Sequence, residues 1–414
     1  MLRNSLKRRL VCGVAAGAAT LYASVPALAA DVQVNPFQNG EAGFVVSHFA
    51  YALTKDASES GACPEGMTKG YGSGGYNGIG AVFVGRSDLQ QHEGELEDQY
   101  VRRIFGQAFS DPNIKNLCQN PELGKPDPNF RTVTGKNVPA DGIDLDGQES
   151  RLSGKPAPGT CAHEDFRGMH GERGIDNQFA RVVGCSKSYQ STGPSNAYET
   201  EMYTGAWGIL ISIKGVKDPR NSDNVEVGIY ANADPIQLSP ARQALPNATY
   251  AMDQDSRFRA TTHGRIKDGV LTTDPVDVRF HKITNGIYLE RPLQDARVRL
   301  TLTPDGGLEG ILAGYTSIDD IYDFQYAYRN GKDAKGQPAP MQLRAGSSIG
   351  QAAVLGHTCN GAYFALKQLA DGHRDPKTGM CTSISTQYRI KAIPAFVVDT
   401  PTQSGNSVLV TGVP

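Results

Sequence analysis

The sequence lacks a long apolar segment after its first 30 residues, and it lacks an excess of either charge. Lysine and arginine number 41 against 43 acidic residues, and the formal net charge is −2. A nucleic-acid-binding surface needs a strong excess of basic residues, so we expect no nucleic-acid partner. No later stretch reaches the length that a membrane-spanning helix needs, so we expect no transmembrane span.

The sequence also lacks C-x-x-C pairs, which gives no support for a zinc ribbon, a thioredoxin-like centre or covalently bound c-type haem. Of its 7 cysteines, Cys12 falls within the N-terminal apolar run. The remaining even number, in an oxidising compartment, predicts three disulfide bonds. Sequence order favours pairing between neighbours: Cys63–Cys118, Cys161–Cys185 and Cys359–Cys381.

An export signal is predicted for residues 1–30. Its start is basic, an apolar run extends from Leu10 to about Val25, and Ala27-Leu28-Ala29 provides the small residues of a cleavage site. We therefore expect an exported protein that is either periplasmic or secreted.

The composition is rich in turn-forming residues, with 47 glycines and 24 prolines. Alternating apolar runs between Trp207 and Ala313 predict strands, and three dipeptides predict hairpin turns: Asp268-Gly269, Asn285-Gly286 and Asp305-Gly306. Strands at this spacing predict a mainly β protein with an antiparallel β-sandwich or jelly-roll-like core. Trp207, at the start of a predicted strand, is expected in that core rather than in a ligand groove.

Three regions are expected after the signal. Residues 31–158 form a loop-rich N-terminal region with one helix, and residues 159–330 form the β-sandwich core. Residues 331–414 form a small α/β C-terminal segment, in which Thr358 caps a helix that Gly372 closes.

The segment between Cys161 and Cys185 concentrates groups that bind metals or transfer protons. These groups are imidazoles and carboxylates: His163, Asp165, His170, Glu172 and Asp176. Such a mixed set suits zinc or another divalent ion, although the spacing of the histidines matches no standard zinc motif. The alternative interpretation is a disulfide-closed loop whose polar groups bond to one another.

A second acidic group precedes this segment and consists of Asp141, Asp144 and Asp146, followed by Gly147. Closely spaced carboxylates before a glycine suggest a calcium loop, but the EF-hand register fails because Gly142 takes the first ligand position. The alternative is a solvated turn in which the carboxylates accept hydrogen bonds from nearby backbone N–H groups. Any Ca²⁺ or other divalent ion here would be structural.

The segment Gly346-Ser-Ser348-Ile-Gly350 fits the G-x-S-x-G pattern of a nucleophile elbow. That chemistry requires Ser348 on a sharp turn between a strand, here Met341–Arg344, and a helix, here Gln351–Leu355. Asp371 and His373 follow, but so closely that they can hardly occupy separate loops. A plain loop is the alternative.

These patterns favour a non-enzymatic, exported, disulfide-stabilised protein that binds a ligand or partner at the cell envelope or outside the cell. A small molecule, a glycan or an envelope protein would each fit as the ligand. The alternative is a secreted hydrolase that uses either the His163, Asp165 and Asp176 cluster or Ser348.

Overall fold

The computed structural model describes residues 34–400 except 55–60, 71–81, 85–88, 90, 111–112, 114, 135–137, 191–197 and 206. The predicted export signal lies outside the described residues.

Among the described residues, 11 strands form one sheet in the order β1-β2-β3-β5-β6-β8-β9-β11-β10, with β4 on β11 and β7 on β8. The strands are β1 (Ala42–Tyr51), β2 (Ile209–Lys214), β3 (Ser222–Ala231), β4 (Ala248–Ala251), β5 (Arg259–Lys267), β6 (Val270–Thr273), β7 (Val276–Thr284), β8 (Ile287–Leu302), β9 (Leu308–Ser317), β10 (Gly372–Arg374) and β11 (Cys381–Val398). All pairings are antiparallel except that of β4 with β11.

The sheet closes on itself because β1 pairs with both β2 and β11. The prediction of a mainly β protein is confirmed, and the sheet is mixed because β4 pairs in parallel with β11. The sandwich or jelly-roll arrangement is not confirmed, because a sandwich has two separate sheets and β1 here joins the two ends of the strand order. The sheet also takes strands from all three predicted regions, with β1 from the first and β11 from the last.

Two of the predicted hairpin turns have the left-handed backbone that their sequences favour. The φ angles are 52° at Asp268 and 82° at Gly269, between β5 and β6. They are 52° at Asn285 and 74° at Gly286, between β7 and β8. Asparagine, aspartate and glycine tolerate this conformation, which matches the twist of the flanking strands.

The described helices are short and lie between strands or before β11. They are α1 (Glu97–Ser110), α2 (Gln178–Val183), α3 (Glu199–Tyr203), α4 (Ile318–Tyr322), α5 (Met341–Leu355) and α6 (Cys359–Gln368), with a π-helical turn (Asp323–Ala327) after α4. None of these helices is long and apolar enough to cross a membrane. Thr358 occupies the N-cap position of α6, but its hydroxyl makes no capping hydrogen bond and donates to Asp127 Oδ2 at 2.6 Å instead. The helix ends at Gln368, and Gly372 begins β10 rather than closing the helix.

The nucleophile elbow predicted at Ser348 is wrong. Met341–Leu355 is one continuous helix, so no strand-to-helix turn exists there. The Ser348 side chain is fully buried, and its Oγ donates a hydrogen bond to the Ala345 carbonyl oxygen at 2.8 Å. The hydroxyl bonds back along its own helix and cannot reach a substrate.

All six cysteines form disulfides as predicted, but the predicted pairing between neighbours in the sequence is wrong. The bonds are Cys63–Cys185, Cys118–Cys359 and Cys161–Cys381, across sequence separations of 122, 241 and 220 residues. Sequence proximity does not decide the pairing, because the fold brings distant segments within the Cα distance that a disulfide spans. The bond from Cys161 ties residues 141–185, here called the loop layer, to β11.

The middle of β11 is buried on both faces. Ser385 and Gln387 hydrogen-bond to the loop layer, whereas Tyr388 stacks on Phe49 and Tyr51 on the opposite face. Alternate side chains of a strand point to opposite faces. One strand therefore separates a polar region from an aromatic region.

Candidate metal centre

The structure brings His163 together with carboxylates from both acidic segments. The Nε2 atom of His163 lies 2.7 Å from Asp176 Oδ1 and 3.1 Å from Asp165 Oδ1. Potential ligand atoms of Asp146, His163 and Asp176 all lie within 4.8 Å of one another. The two candidate sites that the sequence suggests separately are thus one group of side chains.

His163 is fixed in orientation and is positively charged without a metal. Its Nδ1 lies 2.8 Å from the Cys161 carbonyl oxygen, which accepts the Nδ1 proton. Burial by itself would lower the pKa of His163, but the neighbouring carboxylates of Asp165 and Asp176 outweigh it and raise the pKa to about 11. The imidazolium therefore donates from both ring nitrogens.

The carboxylates are held by backbone and hydroxyl donors. Asp176 Oδ2 accepts hydrogen bonds from the backbone N–H groups of Leu145 (2.6 Å) and Asp146 (3.1 Å). Asp146 Oδ2 accepts one from the Ser150 hydroxyl at 2.9 Å, and Asp165 Oδ2 accepts one from the Ser150 backbone N–H. Burial raises the pKa of Asp176, while His163 lowers it. The group is therefore pre-organised.

One buried oxygen in this group is unsatisfied. His163 Nε2 carries a single proton, which is donated to Asp176 Oδ1. Asp165 Oδ1 is buried and receives no hydrogen bond, although Nε2 lies close to it. A buried carboxylate oxygen without a donor is costly.

The loop that carries Asp146 is shaped by local turns and by β11. Asp144 Oδ1 accepts the Gly147 N–H at 2.6 Å, and Asp146 Oδ1 accepts the Gln148 N–H at 3.0 Å. A Cβ atom at Gly142 would lie 2.7 Å from the side-chain oxygen of Gln387, so only glycine allows this close approach. The backbone hydrogen bonds to Asp144 and Asp146 are those that the solvated-turn interpretation anticipates.

Gln387 and Ser385 of β11 position the centre, a role that sequence reasoning did not identify. Gln387 Oε1 accepts the Ile143 N–H at 2.7 Å, and its Nε2 donates to the carbonyl oxygens of Ile143 and Asp176. Ser385 Oγ accepts the Gln178 N–H at 2.8 Å. Polar residues within a strand that is buried on both faces are the signal that would have found them.

Asp371 is a further buried carboxylate on this side of the sheet. Its Oδ1 accepts the Ser385 N–H at 2.7 Å, while its Oδ2 has no hydrogen-bond partner. Burial raises the pKa of Asp371 to about 7, and the charge of His163 partly opposes this. Asp371 is therefore only partly ionised at neutral pH and adds less than a full negative charge beside the centre.

A cavity of about 650 Å³ adjoins the centre, and His163 and Asp165 form part of its wall. Its basic lining residues are arginines: Arg151, Arg167, Arg173 and Arg181. Arg181 stacks over the Phe166 ring at 4.2 Å and donates to the Val133 carbonyl oxygen, so it is a wall element rather than a mobile side chain. The centre is thus close to a space large enough for a small ligand.

Four of the candidate ligands lie outside the group around His163. Asp141 forms an ion pair with Arg389 at 2.5 Å. His170 is exposed, and Glu172 accepts its backbone N–H. Asp144 is half-buried beside the group, with its pKa raised first by burial and then by the charges of Asp176 and Asp146.

A serine–histidine–aspartate chain occurs elsewhere, although the sequence did not indicate it. His373 Nδ1 lies 2.8 Å from Ser383 Oγ, and His373 Nε2 lies 2.9 Å from Asp295 Oδ2. Ser383 is completely buried. A nucleophile must contact its substrate, so this arrangement lacks the accessible hydroxyl that acyl transfer requires.

No family model, no curated protein and no solved structure matches this chain.

Proposed function

We propose that this protein is an exported binding module that holds a divalent metal ion at Asp146, His163 and Asp176, with the adjoining cavity as its ligand site. The observation that carries the proposal is the position of His163 Nε2, which faces two carboxylates, 2.7 and 3.1 Å away, but has one proton to give. A divalent ion in place of that proton would bind His163, Asp176 and Asp146 and would lie beside the unsatisfied oxygen of Asp165.

The charge balance supports a cation. Three carboxylates surround the single imidazolium in this group: Asp146, Asp165 and Asp176. Arg297 reaches the segment but donates to the Leu145 carbonyl oxygen at 2.8 Å. Buried negative charge that exceeds its local compensation is costly, and a doubly charged ion offsets more of it than one proton does.

The donor set favours Zn²⁺ or Mn²⁺ over Ca²⁺. Imidazole nitrogen with carboxylate oxygens suits transition metals, whereas Ca²⁺ prefers about six to eight oxygens. The hydrogen bond from His163 Nδ1 to a backbone carbonyl is the usual support of a metal-ligating histidine. Metal bonds of about 2.0 Å would require Nε2 and Asp176 Oδ1 to separate to about 3.3 Å.

Titration calorimetry on EDTA-treated protein with Zn²⁺, Mn²⁺ and Ca²⁺ tests the proposal. We expect one ion per chain, with Zn²⁺ or Mn²⁺ binding more tightly than Ca²⁺. Asp146→Asn should weaken binding at least about tenfold. Asp141→Asn is the matched control, because Asp141 belongs to the same loop but pairs with Arg389.

Absence of binding by all three ions would overturn the proposal, and so would an equal loss in both variants.

Export is supported by the three disulfides, which persist in oxidising compartments. The periplasm and the medium both meet this condition.

A metal-dependent hydrolase is a second candidate, because His163 and Asp165 line the cavity and a metal there would face a bound substrate. Release of p-nitrophenolate from p-nitrophenyl acetate and p-nitrophenyl phosphate separates the two functions. A hydrolase should show turnover that requires Zn²⁺ or Mn²⁺ and is lost in Asp146→Asn. Metal binding without turnover of either ester favours the binding module.

A further inference from the structure

Arg291 lies on the aromatic side of the sheet with too few partners for a buried cation. Its exposed fraction is 3%, and Nη1 donates to the Tyr51 hydroxyl at 2.9 Å. Its Nε and Nη2 atoms are buried and have no hydrogen-bond partner. The guanidinium stacks near three aromatic rings, at 5.2 Å from Tyr51, 4.7 Å from Phe324 and 4.9 Å from Tyr388. Ring faces attract a cation but accept none of its in-plane hydrogen bonds.

Arg291 lines a small cavity of about 10 Å³ together with Lys282 and Trp207. Trp207 is 6% exposed, and its Nε1–H also has no hydrogen-bond partner. The other lining residues are mainly aromatic: Phe49, Tyr198, Phe280, His281 and Phe324. Unsatisfied donors from Arg291 on β8 and from Trp207, just before β2, thus border the same cavity.

Arg291 has no acidic partner among the described residues, whereas Lys282 pairs with Glu201, whose Oε1 lies 3.4 Å from Lys282 Nζ. Gln325 Nε2 donates to the hydroxyls of both Tyr51 and Tyr198, so those oxygens are already used as acceptors. His281 Nδ1 on the cavity wall also has no hydrogen-bond partner. A water molecule would satisfy hydrogen bonds but would not balance the charge of Arg291.

We propose that a small monovalent anion of the chloride class binds in this cavity and serves as the counter-ion of Arg291, with the Trp207 N–H as a further donor. The volume holds about one water-sized sphere, which excludes phosphate, sulfate and carboxylate ligands. The site is separate from the carboxylate centre, because the two lie on opposite faces of β11.

Thermal melting of the full-length exported protein in EDTA tests the proposal without a variant. Sodium chloride, sodium bromide and sodium gluconate are compared at one ionic strength. An anion that binds only the folded state raises Tm with its concentration. We expect Tm to rise in chloride and bromide relative to gluconate, and bromide-soaked crystals to give an anomalous peak between Arg291 and Trp207.

Trp207→Phe removes one donor while keeping an aromatic ring, and it should weaken chloride binding about tenfold. Tyr363→Phe, on the surface of α6, is the control and should leave the chloride effect unchanged. Equal melting in the three salts without a bromide peak would overturn the proposal. A full chloride effect in Trp207→Phe would also contradict it.

Discussion

Two histidines, His163 and His357, are both buried, yet their pKa values shift in opposite directions. His163 lies among carboxylates, which raise its pKa to about 11 against the effect of burial. His357 lies among the rings of Phe130, Tyr189 and Tyr326, and burial lowers its pKa to about 3. Burial by itself therefore does not decide the charge of a side chain. The charges of its neighbours do.

The two faces of β11 differ in the sign of the buried charge that lacks a partner. On the loop-layer face of β11, carboxylates outnumber cations. On the aromatic face, Lys282 pairs with Glu201, while Arg291 has no acidic partner among the described residues. Each imbalance is reduced if an ion of the opposite sign comes from solution, a divalent metal on one face and a halide on the other.

The largest effect is expected from loss of the cross-link between the loop layer and β11. Cys161→Ser combined with Cys381→Ser should lower the free energy of unfolding by about 4 kcal/mol, measured by urea titration. It should also weaken metal binding, because Cys161 carries the carbonyl that orients His163. The matched control removes Cys118–Cys359, which should reduce stability without changing metal affinity. Equal losses of metal affinity would show that the loop layer does not depend on its own disulfide.

A smaller loss is expected from Asp176→Asn. In EDTA, this change leaves a buried imidazolium without its main partner, and stability should fall by about 3 kcal/mol. Asp295→Asn is the control, because Asp295 forms a similar pair with His373 at the surface. That control should change stability by less than about 1 kcal/mol. If both variants lost the same amount in urea titrations, burial of the His163 pair would not matter.

The smallest effect concerns pH on the aromatic side. The folded-state pKa of His357, about 3, is below the value of 6.5 expected for the unfolded chain, so protonation favours unfolding. This contribution to stability is complete above pH 6.5 and is lost as pH falls from there toward 3.

Between pH 8 and pH 5, the His357 contribution should fall by about 2 kcal/mol. His357→Gln cannot titrate, so its loss of stability across this interval should be smaller by that amount. Urea midpoints at both pH values, in EDTA, measure the difference. An unchanged pH dependence in the variant would show that His357 is not buried as a neutral group.

Part of the fold was predictable because its causes are local. The Asp268-Gly269 and Asn285-Gly286 turns follow from residues that tolerate positive φ, and the start of α6 follows Thr358. Ser348 was mispredicted because a five-residue pattern does not decide between a turn and the interior of a helix. Met341–Leu355 forms one continuous helix, and Ser348 lies in its interior.

The candidate site was predictable in its residues but not in its geometry. Asp146, His163, Asp165 and Asp176 were all recognisable from their chemistry. The exclusion of Asp141 by Arg389 and the supporting role of Gln387 depend on contacts between segments more than 200 residues apart. The convergence of the four site residues joins positions up to 30 apart, and Asp371 bonds to Ser385 14 positions away, but neither contact follows a helical or strand period. Periodicity and spacing carry no information on such contacts.

By itself, the sequence determined the β-rich composition of the chain, its hairpin turns, the cysteines available for cross-linking and the residue types of a metal-type cluster. Tertiary structure alone decided which cysteines pair, that β1 closes the sheet against β11, and which sign of charge is in excess on each side of that strand. The physical reason is that local backbone preferences act over a few residues, whereas burial and electrostatic balance are properties of side chains that only the folded chain brings together.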